Sequence, residues 1–140
     1  MDLQAPITKI MSTNLRTVGP NDPVMTVDEI FKKNRIHHVP VTEDGKVVGI
    51  VSKSDFLYLL RGFTQNAVDS FRETAKLRAF KVHEIMEKNV ETIGDDATIQ
   101  RVVEILAENR FRCLPVVDDE RNLVGIVTTH DIIDMVIGKK

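Results

Sequence analysis

Two segments of this chain place a hydroxyl and a carboxylate three positions apart, directly after an apolar run. They are Gly49-Ile50-Val51-Ser52-Lys53-Ser54-Asp55 and Gly125-Ile126-Val127-Thr128-Thr129-His130-Asp131. The runs leading into them, Val47 to Val51 and Leu123 to Val127, read as buried strands, and the polar residues open a helical pattern. On the first turn of a helix, residues three apart share a face, so Ser52 with Asp55, and Thr128 with Asp131, can face one point. A carboxylate there can accept two hydrogen bonds from a cis-diol, which is what a ribose offers. The free amides of the helix start suit a phosphate. The same spacing is also that of a capping box, which would explain both pairs without a ligand. Capping leaves unexplained the glycine three residues before each hydroxyl. A glycine weakens a strand interior unless a ligand or another backbone comes close.

The two motifs belong to a longer repetition. Ile10 to Asp55 recurs as Ile85 to Asp131, shifted by 75 positions and then by 76 after one inserted residue. Ile10-Met11 returns as Ile85-Met86, Asn34-Arg35 as Asn109-Arg110, and Pro40-Val41 as Pro115-Val116. Duplication predicts a module with internal pseudo-two-fold symmetry and a groove between its halves.

Each copy reads as strand, helix, strand, strand, helix. Asn21-Asp22-Pro23 starts the first helix, with a capping side chain and an early proline, and Asp96 is the expected cap in the second copy. Val24, Val27, Ile30 and Phe31 fall on one helical face, as do Ile99, Val102, Ile105 and Leu106. The prolines of Val39-Pro40-Val41 and Leu114-Pro115-Val116-Val117 suggest an edge or a strand start. The inserted residue falls in the turn between the paired strands, where insertions are tolerated. The closing helices begin at Ser52 or Lys53 and at Thr128 or Thr129. Between the copies, Gly62 is expected to break a helix, and Val68, Phe71 and Ala75 share a helical face. This predicts a first repeat over 1–60, a helical linker over 61–80 that acts as a packing strut or, in the alternative, docks a partner or forms a dimer, and a second repeat over 81–140.

The 140 residues suffice for one compact domain, and a repeat of about 50 residues is marginal alone, so the copies are expected to share a core. A net charge of −2 gives no global basic field for nucleic acid or an anionic membrane. No apolar run approaches the ~20 residues of a membrane span, and the start of the chain lacks a signal pattern. The single cysteine, Cys113, fits a reducing cytoplasm. These features predict a cytoplasmic, soluble protein.

In order, spacing and duplication the chain resembles a tandem CBS-domain pair, also called a Bateman module. The resemblance covers nearly the whole sequence: the Ile-Met leads, Thr17-Val18 and Thr92-Ile93, the helices, the proline strands and both glycine-to-aspartate motifs. It implies a mixed α/β fold, α+β in its layering, of two β-α-β-β-α units joined through their sheets. It further implies up to two clefts for adenosine-containing ligands, with Asp55 and Asp131 on the ribose hydroxyls and Ser52 and Thr128 beside ribose or phosphate. The resemblance assigns adenine contact to Thr17, Val18, Thr92 and Ile93, and to the residues around the prolines: Ile36, Val39, Pro40, Phe111, Leu114 and Pro115. In phosphate-binding relatives, basic residues stand three and two places before the proline, where this chain has His37 and His38, then Arg112 and Cys113. His130 lies between motif hydroxyl and aspartate. Arg112 is the best phosphate anchor, because a guanidinium binds phosphate bidentately. This basic set favours AMP, ADP, ATP or a dinucleotide; S-adenosylmethionine remains open, and Cys113 leaves one cleft weaker. A homodimer of modules through terminal helices is expected, as is an unidentified regulated protein reached in trans.

Rival chemistries fit poorly. His37 and His38 are adjacent in a strand and point to opposite faces, a poor chelate. Ser52, His130 and Asp131 lack the glycine-serine-glycine elbow of a hydrolase. Nothing supplies an activated nucleophile or a tuned acid–base pair, so an enzyme is not expected. The alternative to a ligand sensor is a CBS-type interaction scaffold with degenerate clefts.

Overall fold

A computed structural model describes residues 1–61 and 70–140 of the chain. Gly62 and Val68 lie outside the described residues. The elements run α1 (Val24–Lys33), β1 (His38–Glu43), β2 (Lys46–Ser52), α2 (Lys53–Arg61), α3 (Ser70–Ala79) and α4 (Val82–Ile85). Then follow β3 (Ile93–Gly94), α5 (Ile99–Ala107), β4 (Cys113–Val117), β5 (Leu123–Thr128) and α6 (Thr129–Val136). A short 3₁₀ turn, Ile7–Lys9, precedes them all. The fold is mixed α/β, with the strand–helix order repeated.

The chain forms two compact units, residues 16–89 and residues 1–15 with 90–140. In the first, β1 and β2 form an antiparallel hairpin. Its two-residue turn, Asp44-Gly45, has φ of 53° and 81°. Positive φ at both positions marks a primed turn whose twist matches the strands, and an Asp-Gly pair suits it. The first strand expected in this copy shrinks to one parallel bridge, Val18 with Val41. In the other unit β4 lies between β3, parallel to it, and β5, antiparallel.

The proline strands are therefore not edges. Val18 N donates to Pro40 O and Thr42 N donates to Val18 O. A residue's N and O point to the same side of a strand, so the missing N–H of Pro40 falls on the Val18 flank, just before that short pairing begins. No ladder bond is lost there. Pro115 has the same place before the β3 pairing, which starts at Val116.

Two expected caps also move. The N-cap of α1 is Pro23 itself, and the Asp22 carboxylate accepts from Gly19 N at 2.8 Å, shaping the turn before the helix. The cap of α5 is Thr98, whose hydroxyl accepts from Arg101 N at 3.1 Å, not Asp96. The apolar faces fall as the spacing predicts. Val24, Val27 and Phe31 are buried in one unit, Ile99, Val102 and Leu106 in the other, with Ile30 and Ile105 packed at their margins. Phe31 meets Phe56 of α2 in a tilted contact at 5.3 Å between ring centroids. The described part of the linker holds the helix α3, which packs on α1 and α2 and buries Leu77. Lys76 Nζ donates to Leu59 O at 3.0 Å, in the last turn of α2.

The Ile-Met leads exchange places. Ser12 pairs with Ile126 of β5, and Glu87 pairs with Ile50 of β2. Each lead thus lies on the strand of the other sequence copy, which is why the compact units do not coincide with the sequence repeats. This also accounts for the motif glycines. A Cβ on Gly49 would collide with Met86 Sδ and sit 2.8 Å from its Cγ; one on Gly125 would collide with Met11 Sδ and sit 2.9 Å from its Cγ. The close approach that each glycine permits comes from a methionine, not from a ligand.

Candidate functional site

Strand register assembles each motif. β1 pairs with β2 so that His38 stands opposite Ser52, and β4 with β5 so that Cys113 stands opposite Thr128. One residue further, Lys53 N donates to His37 O at 2.8 Å, and Thr129 N donates to Arg112 O at 3.4 Å. The basic candidate before each proline is in this way tied to the helix start that carries the motif. In both copies the sequence places hydroxyl, acid and basic residue at one corner because two strands are zipped in this register.

The corners differ in detail. In the first, Ser52 Oγ accepts from Asp55 N at 3.2 Å, so the hydroxyl caps α2. The Asp55 side chain belongs to an exposed residue, and its carboxylate has no hydrogen-bond or ion-pair partner among the described residues. In the second, Asp131 Oδ2 accepts from Thr128 N at 2.9 Å and lies 3.4 Å from Thr128 Oγ1. Asp131 Oδ1 meets Lys140 Nζ at 2.8 Å. Asp131 is buried, at 6% exposure. Capping therefore accounts for the carboxylate of Asp131 and leaves that of Asp55 available.

Beside the first corner lies a pocket of about 450 Å³ lined by Phe31, Ile36, Asn34, His37 and a basic group, Lys32, Lys33, Arg35 and Lys53. Lys32 is paired with Asp28 at 2.9 Å, and that hydrogen bond and charge raise its pKa. Lys33, Arg35 and Lys53 have no ion-pair partner among the described residues. The sequence positions equivalent to Lys32, Lys33 and Lys53 are Ala107, Glu108 and Thr129, so the second corner lacks these three cations. Lys53 sits inside the motif and could have been read from it; Lys32 and Lys33 carried no signal beyond a helix-end charge pair.

The remaining candidates spread between surface and core. Thr17 and Thr92 are exposed, and Ile36 and Phe111 are half-buried, so these can meet a base with their side chains. Val18, Val39, Ile93 and Leu114 belong to the two cores, and Pro40 and Pro115 are buried with them. In this arrangement those six could meet a base only through their backbone. His38 is half-buried. Arg112 is exposed, and His130 lies on the helix surface 3.4 Å from Asp134. Cys113 is buried; burial first, and the charge of Asp131 second, push its thiol pKa up, so it stays protonated. Among the described residues no three His, Cys, Asp or Glu side chains gather as a metal group, and no helix is long and apolar enough to cross a membrane.

The CBS domain model matches the chain twice, over residues 7–62 and 82–138. The chain belongs to the CBS-domain family. It is a tandem CBS pair, and its relatives have the same construction. The uncharacterized protein MJ1426 of Methanocaldococcus jannaschii is 31% identical over 153 residues, covering 94% of this chain and 90% of its own. The CBS domain pair of protein MJ0100, solved with 5′-methylthioadenosine and S-adenosyl-L-methionine, superposes with a TM-score of 0.77 at 31% identity, covering 97% of this chain and 98% of that one. CBSX2, solved in complex with AMP, superposes with a TM-score of 0.75 at 26% identity, over 95% and 96% of the two chains. CBS pairs also occur within enzymes. The L-aspartate semialdehyde sulfurtransferase of Methanocaldococcus jannaschii is 32% identical, but this chain spans only 25% of its length.

Proposed function

We propose that this CBS pair is a regulatory sensor that binds an adenine-containing nucleotide of the AMP, ADP or ATP class and reports occupancy to a partner protein in trans. The observation that carries the reading is the carboxylate of Asp55. It is exposed and has no partner among the described residues, on the first turn of α2 beside Ser52, while Lys53 and His37 are held together at the same corner. A carboxylate free to accept two hydrogen bonds suits a ribose diol, and the adjoining basic pocket suits phosphate. The ligands of MJ0100 and CBSX2 are all adenosine derivatives, which supports the same class here. S-adenosylmethionine and dinucleotides fit the diol clamp equally; the cations of the first corner favour the phosphorylated forms. The chain has no role for a catalytic cofactor in this reading. Signalling would follow from a ligand that binds one arrangement of the module better than another and so shifts its population.

A second copy of the chain is the expected companion. Tyr58 of α2 and Ile133, Val136 and Ile137 at α6 are more than half exposed, at 52% to 64%. Such apolar side chains on the two closing helices suit a homodimer contact. These residues, together with the engaged Asp131, favour the alternative of a dimerisation scaffold with degenerate sites. A thermal-shift panel of AMP, ADP, ATP, a dinucleotide and S-adenosylmethionine separates the two readings. A ligand at about 100 times its dissociation constant adds about 2.7 kcal/mol of stability. The sensor reading expects an upward melting shift with at least one nucleotide; a flat panel at millimolar concentration leaves the scaffold.

A further inference from the structure

The chain keeps both motif aspartates, yet Asp131 is engaged twice, by the cap at Thr128 and by one lysine. α6 ends in a Schellman turn: Gly138, at φ +82°, reverses the chain, Gly138 N donates to Met135 O at 3.2 Å, and Lys139 N donates to Asp134 O at 2.7 Å. That pattern satisfies the last carbonyls of a helix and calls for glycine at the reversal. It brings Lys140 back along the helix to its start. There Lys140 Nζ lies 2.8 Å from Asp131 Oδ1 and donates to Ile10 O at 2.8 Å. The two side chains are 26% and 8% exposed, so the pair is mostly withdrawn from water. The other carboxylate oxygen is held by Thr128. Both oxygens of Asp131 are therefore already engaged, and the carboxylate is buried.

We propose that Lys140 sets the selectivity between the two motifs: its ammonium closes the second to nucleotide and leaves the first, at Asp55, as the open site. This rests on the reading of Asp55 as a ribose clamp. The energetic reason is charge. Displacing the ammonium would leave a mostly buried carboxylate without its counter-charge, which is costly, and a neutral ribose hydroxyl brings none, so it is a poor replacement for Lys140. The first copy has no lysine at the equivalent sequence position. In the repeat alignment Thr64 stands where Lys140 stands, and although it lies outside the described residues, its side chain carries no charge. Lys140 acts through Asp131 and is a positioning residue, not a ligand contact.

The test is calorimetric titration of AMP into the full chain, its Lys140→Met variant, which keeps the apolar stem, and its Lys140→Arg variant, which restores the cation. The proposal expects one bound AMP per chain in the parent, two in Lys140→Met, and one again in Lys140→Arg. In Lys140→Met combined with Asp55→Ala, only the new site remains. If Lys140→Met does not fold, Lys140→Gln takes its place. An unchanged stoichiometry in the variant, or two equivalents already bound by the parent, overturns the proposal and leaves the sensor reading intact. No binding in the parent but one equivalent in Lys140→Met supports the lock and removes Asp55 as the clamp. No binding in either removes both.

Discussion

At the scale of single residues, identity in sequence does not mean identity in role. Asp55 and Asp131 occupy the same place in a duplicated motif, and one is exposed while the other is buried against Thr128 and Lys140. The consequence is measurable in stability. Asp131→Ala removes one half of the capping box and strands an ammonium, and should cost about 0.5–2 kcal/mol in urea unfolding, the range of a lost cap. Asp55→Ala removes an exposed carboxylate that holds no partner among the described residues and should stay within about 0.5 kcal/mol, as surface substitutions do. Equal costs would mean that Asp55 also serves its own helix. The motif residues themselves were legible from spacing alone. Their inequivalence was not, because it depends on Lys140, which looks in sequence like one of two trailing charges and reaches Asp131 only through the reversal at Gly138.

At the scale of elements, most of the helix–strand order follows from local pattern, and the departures have local physical causes. The apolar faces of α1 and α5 and the turn between the paired strands were readable, since periodicity and turn chemistry are short-range. The prolines misled because strand position depends on which flank of a strand is paired, which no window of sequence contains. The caps of α1 and α5 differ because Asp22 finds Gly19 N and Thr98 finds Arg101 N, choices made by turn geometry. The glycines of the motif exposed the largest gap. They serve Met86 and Met11, which are distant in sequence and enter as bridged leads. Gly49→Ala should therefore destabilise by about 1–3 kcal/mol through overpacking. Shortening the methionine in Gly49→Ala/Met86→Ala should return part of that loss in a double-mutant cycle. A Gly49→Ala penalty that Met86→Ala does not relieve would place the constraint elsewhere.

At the scale of the molecule, the duplicated sequence and the compact units are offset, because each lead pairs with the strand of the other copy. A fragment spanning residues 16–89 holds β2 together with its Glu87 partner and the α3 strut, and should unfold cooperatively. A fragment spanning residues 1–60, the first repeat by sequence, lacks both and should not. Circular dichroism melts of the two fragments check this; a cooperative transition in the shorter one alone would restore the sequence boundary. The family and the duplicated architecture were visible before any coordinates, but the offset was not, since repetition is blind to which copy a segment packs upon. Function rests on a narrower base, the free carboxylate at the first corner. Its most direct test is calorimetric titration of AMP and of its 2′,3′-dideoxy analogue into the parent chain and Asp55→Ala. The diol clamp predicts that AMP binds the parent, and that either loss, of the carboxylate or of the hydroxyls, weakens binding by about tenfold or more, which is about 1.4 kcal/mol. AMP binding that is the same with and without the Asp55 carboxylate would contradict it.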